Sequence, residues 1–541
     1  MATVAQVMAG TLKELGVHYI FGVPSGNWVD YMAAIQAVDG LEFILVSNEG
    51  SGGFMADVCW RLTGKVAACF GTMGPGACNQ TIGVCGGYLD RSPMIAFSDE
   101  VNPKLQHRIS QMNIDHQTLF KPITKWTARL KACNVRETLY NALQIATSEV
   151  PGPVYIGLPC GIGLDEAADE SVTVPDREEI STADTDALAK MASLFMGAKK
   201  PVIALGITAM RANVQEMVIN ILEKFKVPAV LTPMAKGMVP EDHPCYTGVL
   251  SHALGNQVGI THQQADLVVG IGFDPVELNY EDWMPHVPLV HIDTVPADLN
   301  TKNHTLGCDV VGQLRPSLEC LLSLDCTEKE WDMEKLAARK TAMFAQLAAP
   351  KGTFGPRRVL EALRIILPKD GIMTCDVGAH SHLIGQQWQT DSPECQLMSN
   401  GCSAMGFAIP AAIAAKLCCP EQKVCCVVGD GGLYMMAGEM VTAMRLNVNI
   451  VVVVMMDAHL SLIRIKQQRK NYVPYGTSLP TPSPDTDVSP HTLFGVPVFM
   501  VKDASQYDHA LKEAFIANGP VIIEAFVHAE EYENLVLKGN K

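Results

Sequence analysis

Residues Val424–Met440 read VCCVVGDGGLYMMAGEM. A β-branched, apolar run passes directly into Gly-Asp-Gly-Gly and then into a helix-like segment. A short apolar run that ends at glycine reads as a buried strand of a parallel sheet. In open parallel sheets, ligands bind beyond the carboxyl ends of the strands. Gly429-Asp430-Gly431-Gly432 is such an end. Glycine lets backbone approach phosphate closely, and a helix starting there presents its positive dipole end. An acid in that position repels phosphate unless a divalent cation lies between them. The stretch therefore points to a diphosphate bridged by Mg²⁺, with Asp430 as a metal ligand.

The next apolar run, Ile450–Met456, ends in Asp457-Ala458-His459. One strand–helix–strand traverse separates Asp457 from Asp430, so both carboxylates can reach one cation. Here the chain resembles the thiamine-diphosphate enzymes, whose cofactor motif is GDG followed, one traverse later, by Asn. Asp457 stands at the Asn position. An Asp still offers oxygen to Mg²⁺ but adds a charge. The resemblance implies metal ligation by Asp430, Asp457 and the backbone carbonyl of His459. The His459 ring is not an expected ligand, because Mg²⁺ prefers oxygen.

The resemblance extends along nearly the whole chain. Residues 45–79 read LVSNEGSGGFMADVCWRLTGKVAACFGTMGPGACN, and Glu49 occupies the family's glutamate position. A carboxyl there hydrogen-bonds the cofactor's aminopyrimidine and so promotes loss of the thiazolium proton. Residues 399–413 read SNGCSAMGFAIPAAI. Met405 matches the wedge that bends the cofactor, and backbone groups of Ser403 and Met405 match those binding the pyrimidine edge. Asp376-Val-Gly-Ala-His380 resembles a loop that contacts the diphosphate, which makes His380 a binding candidate. Gly429, Gly431 and Gly432 belong to the same diphosphate site. In the middle of the chain, Gly272-Phe-Asp-Pro-Val-Glu277 and Val290-His-Ile-Asp293 look like the catabolic acetolactate synthase branch. No GxGxxG occurs there, and FAD is not indicated.

The fold class expected is α/β, with three Rossmann-like parallel-sheet domains. These are a pyrimidine-binding domain over 1–165, a central domain over 183–330 and a diphosphate-binding domain over 353–541. A chain of 541 residues exceeds what one core supports. Apolar runs alternate with helical segments in each block, as in Phe43–Val46, Pro201–Leu205 and Val521–Phe526. An acidic stretch from Asp165 and a Lys-, Glu- and Ala-rich one over 326–352 read as linkers. The net charge of −16 argues against nucleic acid and against anionic lipid. No apolar run approaches the about 18 residues of a membrane span. Seventeen cysteines without CxxC spacing read as reduced thiols of a cytoplasmic protein.

Members of this family share decarboxylation of a 2-oxo acid and differ in what the remaining fragment meets: a proton gives an aldehyde, a second carbonyl gives a new C–C bond. In Gly22-Val-Pro-Ser-Gly-Asn27, Gly26 stands where pyruvate decarboxylases carry a protonating Asp, and their His-His pair is missing. Both features favour carboligation. In QMNIDHQTLFKPITK (111–125), Asp115, Phe120, Thr124 and Lys125 fit the acetolactate synthase pattern. Gln111 stands one step before the expected Gln, at Met112. Arg464 and Lys466 alternate with apolar residues, where either could meet an anionic substrate tail. The leading expectation is an acetolactate-synthase-like enzyme using thiamine diphosphate and Mg²⁺. The alternatives are a non-ligating decarboxylase, for a substrate such as sulfopyruvate or phosphonopyruvate, and a non-catalytic cofactor-binding homologue. The resemblance also implies a homodimer or homotetramer, with Glu49 and the GDG segment meeting across subunits.

Overall fold

The computed structural model describes residues 2–168, 180–390, 392–480 and 494–536. They build three six-stranded sheets, parallel throughout, with helices between most successive strands. The first holds β1 (Tyr19–Gly22), β2 (Glu42–Leu45), β3 (Ala67–Gly71), β4 (Met94–Glu100), β5 (Trp126–Arg129) and β6 (Val154–Pro159), in the order 2-1-3-4-6-5. The second holds β7 (Pro201–Leu205), β8 (Ala229–Leu231), β9 (Tyr246–Val249), β10 (Leu267–Ile271), β11 (Leu289–Asp293) and β12 (Leu306–Val311), in the order 12-11-10-7-8-9. The third holds β13 (Ile372–Cys375), β14 (Gln396–Met398), β15 (Val424–Gly429), β16 (Ile450–Met456), β17 (Val498–Val501) and β18 (Val521–Phe526), in the order 14-13-15-16-18-17. Counted within each sheet, the first and third have the same order. The fold class is the three-domain α/β arrangement expected.

The central strands are apolar throughout because helices cover both faces. All of β16 is buried, and so is all of β15 except Gly429. In the first domain, the helix Glu49–Thr63 follows β2. The Asn48 side chain caps it by accepting the Gly50 N–H at 2.8 Å, and Gly64 ends it at φ +66°. It packs on Pro75–Leu89 at backbone distance, because a methyl group on Gly83 would lie 2.2 Å from the Gly50 carbonyl oxygen and 2.8 Å from Gly53 Cα.

Two segments read as linkers differ in outcome. Within 326–352 the chain forms a helix, Met333–Leu347, capped by Asp332 and burying Leu336, Met343 and Leu347. One apolar stripe on a Lys/Glu/Ala-rich sequence is what a surface helix requires. The acidic stretch starting at Asp165 falls largely on 169–179, outside the described residues. The cysteines are free thiols, and Cys78, Cys133 and Cys326 are exposed. Among the described residues, no helix is long and apolar enough to cross a membrane.

Helix contact at Gly83 should tolerate no side chain. Gly83→Ala should cost about 1–3 kcal/mol and lower the thermal midpoint. Gly10→Ala is the control: it lies in the helix Val4–Glu14 with no atom within 4 Å of the new methyl group, so it should be neutral or stabilising. Equal effects of the two substitutions in thermal unfolding would contradict this packing.

Candidate active site

The parallel register pairs Gly429 of β15 with Met455 of β16. Asp430 and Asp457 therefore leave the same edge of the sheet on neighbouring strands. Asp430 accepts the Gly431 N–H at 2.8 Å and the Ala458 N–H at 2.7 Å. Asp457 accepts the His459 N–H at 3.0 Å and the Ser461 hydroxyl at 2.8 Å. Ala458 between them takes φ +64°, which turns the chain back over Asp430. All four donors are neutral. Burial raises the Asp430 carboxyl to about 6; burial, and then the nearby Asp430 charge, raise Asp457 to about 7. Among the described residues no group of three or more His, Cys, Asp or Glu could hold a metal. The His459 ring thus belongs to no such cluster, and the two carboxylates form an oxygen site of the kind that Mg²⁺ takes with carbonyls, water and phosphate.

Residues from three separate motifs converge on this turn. The His380 ring lies over Gly429, with Cε1 3.3 Å from where a methyl group would stand. Its Nε2 is buried and has no hydrogen-bond partner, and burial lowers the ring to about 4. The Met405 terminal methyl reaches the corresponding point on Gly431 at 3.3 Å. Gly432 abuts Asp376, whose Oδ2 would meet a methyl group at 1.9 Å. Asp376 is buried and accepts the N–H groups of Gly406, at 2.8 Å, and Phe407, at 2.9 Å. It therefore pins the end of the Met405 loop to the GDGG turn. In the sequence, Asp376 stands out only as the start of the His380 motif. Ser403 is exposed with φ +51°, and its hydroxyl donates to the Asn400 carbonyl at 2.8 Å.

Glu49, Gly26 and Gln111 belong to the first domain. Glu49 is buried at the carboxyl end of β2 and accepts from Asn79 Nδ2 at 3.1 Å. It is not the helix cap, a role taken by Asn48. Its other oxygen and the Thr72 methyl both lie 3.0 Å from the methyl position of Gly76. Beside them Asp99, at the end of β4, accepts the Ser25 hydroxyl and, at 3.5 Å, that of Thr72. Burial raises Asp99 to about 6. This carboxyl carries no signal in the sequence, because it sits inside a strand without a motif. Gly26 begins a short turn of helix, and its methyl position is open space. Gln111 is exposed. His116 is not a surface group: it is buried, and Nε2 accepts the Gly74 N–H at 3.0 Å, bracing the Gly-Pro-Gly loop. Asp115 caps the helix His116–Phe120, and Phe120 stacks on Tyr155 at 4.2 Å.

The two outer domains meet in this chain. Buried Glu439, the acid at the end of the opening stretch, accepts the N–H groups of Ser47 at 3.0 Å and Asn48 at 2.9 Å. It holds the entry to the Glu49 helix. The Ser51 hydroxyl faces Met436 Sδ at 3.5 Å. The Gly272–Glu277 motif of the middle domain also serves contacts between domains. Asp274 pairs with Arg91 at 2.6 Å, and Glu277 accepts from Asn400 at 3.3 Å.

Three parts of the chain match descriptions of one family. Residues 2–119 match the thiamine pyrophosphate enzyme N-terminal TPP binding domain, 188–321 the central domain and 376–525 the C-terminal TPP binding domain. The probable acetolactate synthase large subunit of Methanocaldococcus jannaschii is 29% identical over 562 aligned positions, covering 99% of this chain and 94% of that protein. Acetolactate synthase of Bacillus subtilis is 27% identical, over 98% and 94% of the two chains. Acetolactate synthase isozyme 3 large subunit of Escherichia coli is 28% identical, over 86% and 84%. With matching domains in the same order along all three sheets, the chain belongs to the thiamine pyrophosphate (diphosphate) enzymes.

Proposed function

We propose that the protein decarboxylates a 2-oxo acid and joins the remaining carbon fragment to a second carbonyl, as an acetolactate-synthase-like enzyme. The observation that carries this reading is the pair of neutral-bonded carboxylates, Asp430 and Asp457, under His380 and Met405, in a chain that also buries Glu49 at a strand end. The acetolactate synthase relatives support this class of reaction.

The residues present fit thiamine diphosphate with Mg²⁺. Asp430, Asp457 and the His459 carbonyl would hold the cation. His380 Nε2, buried without a partner, would donate to a phosphate oxygen in the Nε2–H tautomer or with the ring protonated. Met405 would support the cofactor's bend, and Ser403 and Met405 backbone groups its pyrimidine. When bound, the cofactor supplies a carbon nucleophile and the electron sink for CO₂ loss. Glu49, freed from capping duty by Asn48, would hold a proton at the pyrimidine ring. Gly26 itself carries no acid, and the neighbouring Asp99 carboxyl is engaged by the Ser25 hydroxyl, so no acid is delivered from position 26 and the fragment is left for a carbonyl. The two halves of the site would meet across a homodimer, alone or within a tetramer. Gln111 would reach the acceptor only from its exposed loop. A second reading is supported by Arg464, whose charge lies near enough to Asp457 to oppose a small part of the rise in its carboxyl. A cation there suits a 2-oxo acid with an anionic tail.

Glu49→Gln tests the proton role. The amide can still accept from Asn79, so thiamine diphosphate binding should persist while CO₂ release falls about 100-fold or more. Full turnover in this variant would overturn the mechanism. Gly26→Asp fills open space with the missing acid and should raise the aldehyde-to-ligation product ratio about tenfold. An unchanged ratio would remove Gly26 from the explanation.

The carboxylate pair also makes a pH prediction. Asp457 rises from the ordinary 3.8 to about 7, so the folded apoprotein binds more protons than the unfolded chain across that window. Its contribution to stability is present below about 4 and is lost as pH rises to about 7. Thermal midpoints of the apoprotein should fall less steeply over this range in Asp457→Asn than in wild type. Mg²⁺ with thiamine diphosphate should restore more stability above about pH 7, where both carboxylates are ionised, than below about pH 6. Parallel pH profiles for variant and wild type would contradict the assignment.

A further inference from the structure

Two pairs of thiols meet across the boundary between the first and third domains. Cys59, on the helix Glu49–Thr63, and Cys418, at the end of the helix Ala408–Cys418, place their sulfurs 3.3 Å apart. Cys85, on the helix Pro75–Leu89, shares a hydrogen bond with Cys402, the residue before Ser403. Neither pair serves the site described above. Their neighbours are fixed: Phe54 and Phe407 pack edge to face at 5.7 Å, and Asp90 accepts the N–H groups of Gly401 at 2.8 Å and Cys402 at 3.2 Å. The sulfurs are therefore held in register by packing on both sides.

We propose that Cys59 and Cys418 form an oxidation site, at which hydrogen peroxide converts the two thiols into an intrachain disulfide fastening the first domain to the third. Cys418 is partly exposed and takes the first step, while Cys59 is buried and resolves it. The Cys418 thiolate attacks a peroxide oxygen. The O–O bond breaks, a sulfenic acid forms and hydroxide leaves, to be protonated to water. The Cys59 sulfur then attacks Cys418, the S–S bond forms, the S–O bond breaks, and the second oxygen leaves as water with the Cys59 proton. Two thiols lose two hydrogens, and one peroxide becomes two waters. The hydrogen bond between the sulfurs favours this order, lowering the Cys418 thiol and raising that of Cys59. Closing from 3.3 Å to the about 2.05 Å of a disulfide asks for a movement of about 1 Å, shared between two helix ends.

The test uses the purified full chain with thiamine diphosphate and Mg²⁺. It is treated with hydrogen peroxide, blocked with iodoacetamide and examined by non-reducing electrophoresis and peptide mass spectrometry. The bond would join residues 359 positions apart, so the oxidised monomer should run faster than the reduced chain. Peptides containing Cys59 and Cys418 should be recovered joined and two hydrogens lighter. The thermal midpoint should rise, and dithiothreitol should reverse all three changes. Cys418→Ser should lose the fast band and Cys133→Ser, at an exposed site, should keep it. Recovery of Cys59 and Cys418 as alkylated thiols or as separate sulfinic acids would overturn the proposal, as would a cross-link at Cys85–Cys402 alone. Because the wild-type peptide map decides the question, a folding defect in a variant leaves it decidable. The readouts are independent of catalysis, so a wrong reaction class would not affect them.

Discussion

Asp430 is buried and Asp457 half-buried beside it, and the hydrogen bonds they accept come from neutral donors. Two like charges with little water around them raise each other's proton affinity and oppose folding when both ionise. The sheet nonetheless forces them together, because β15 and β16 are adjacent, parallel and in a register that ends both at one edge. The cation proposed for this site would relieve the repulsion and at the same time draw in phosphate. The surrounding residues follow from that need: His380 keeps an unpartnered nitrogen over the turn, Met405 walls its other side, and Asp376 clamps the Met405 loop.

The same sheet order in the first and third domains has a functional consequence. Ligand sites in such sheets lie beyond the carboxyl ends, where successive connections leave in opposite directions. In the third sheet that place lies between β13 and β15, where the His380 and GDGG segments emerge. In the first it lies between β1 and β3, where Ser25, Gly26 and the Thr72–Gly76 loop emerge, with Glu49 beside them on the next strand. The roles proposed for the two places are complementary: Asp430 and Asp457 as the seat of a cation in one, and Glu49 as the carboxyl facing the pyrimidine in the other. Glu439 and the Phe54–Phe407 contact bind the two domains by groups outside either site.

The third-domain site was legible because its chemistry is local. An acid among glycines at the end of an apolar run has few structural uses, and Asp457 follows at one traverse. Strands were legible where they are central, and at one edge, β2. The five that escaped, Trp126–Arg129, Tyr246–Val249, Leu306–Val311, Gln396–Met398 and Val498–Val501, are all at sheet edges. An edge strand pairs on one side only and is short or partly exposed, so its apolar signal is weak. Contacts between distant segments were not legible at all. Nothing near Asp99 announces that Ser25 and Thr72 will bond it, nothing near Glu439 announces the Ser47–Asn48 backbone, and the burial of His116 depends on the Gly74 loop. The Asp115, Phe120, Thr124 and Lys125 set, which matched a family pattern, is occupied with local structure: a helix cap, a ring stack, and bonds to the Phe120 and Ser148 carbonyls.

The central claim is that this site joins two carbonyl fragments. Its most direct measurement is a product balance. The purified protein, supplied with thiamine diphosphate, Mg²⁺ and pyruvate, is assayed for CO₂, acetolactate and acetaldehyde in one reaction. Acetolactate at half the CO₂, with little acetaldehyde, is the result expected of a site whose Gly26 supplies no proton. Acetaldehyde equal to the CO₂ would contradict ligation and make the protein a simple decarboxylase, while absence of CO₂ would contradict pyruvate as donor.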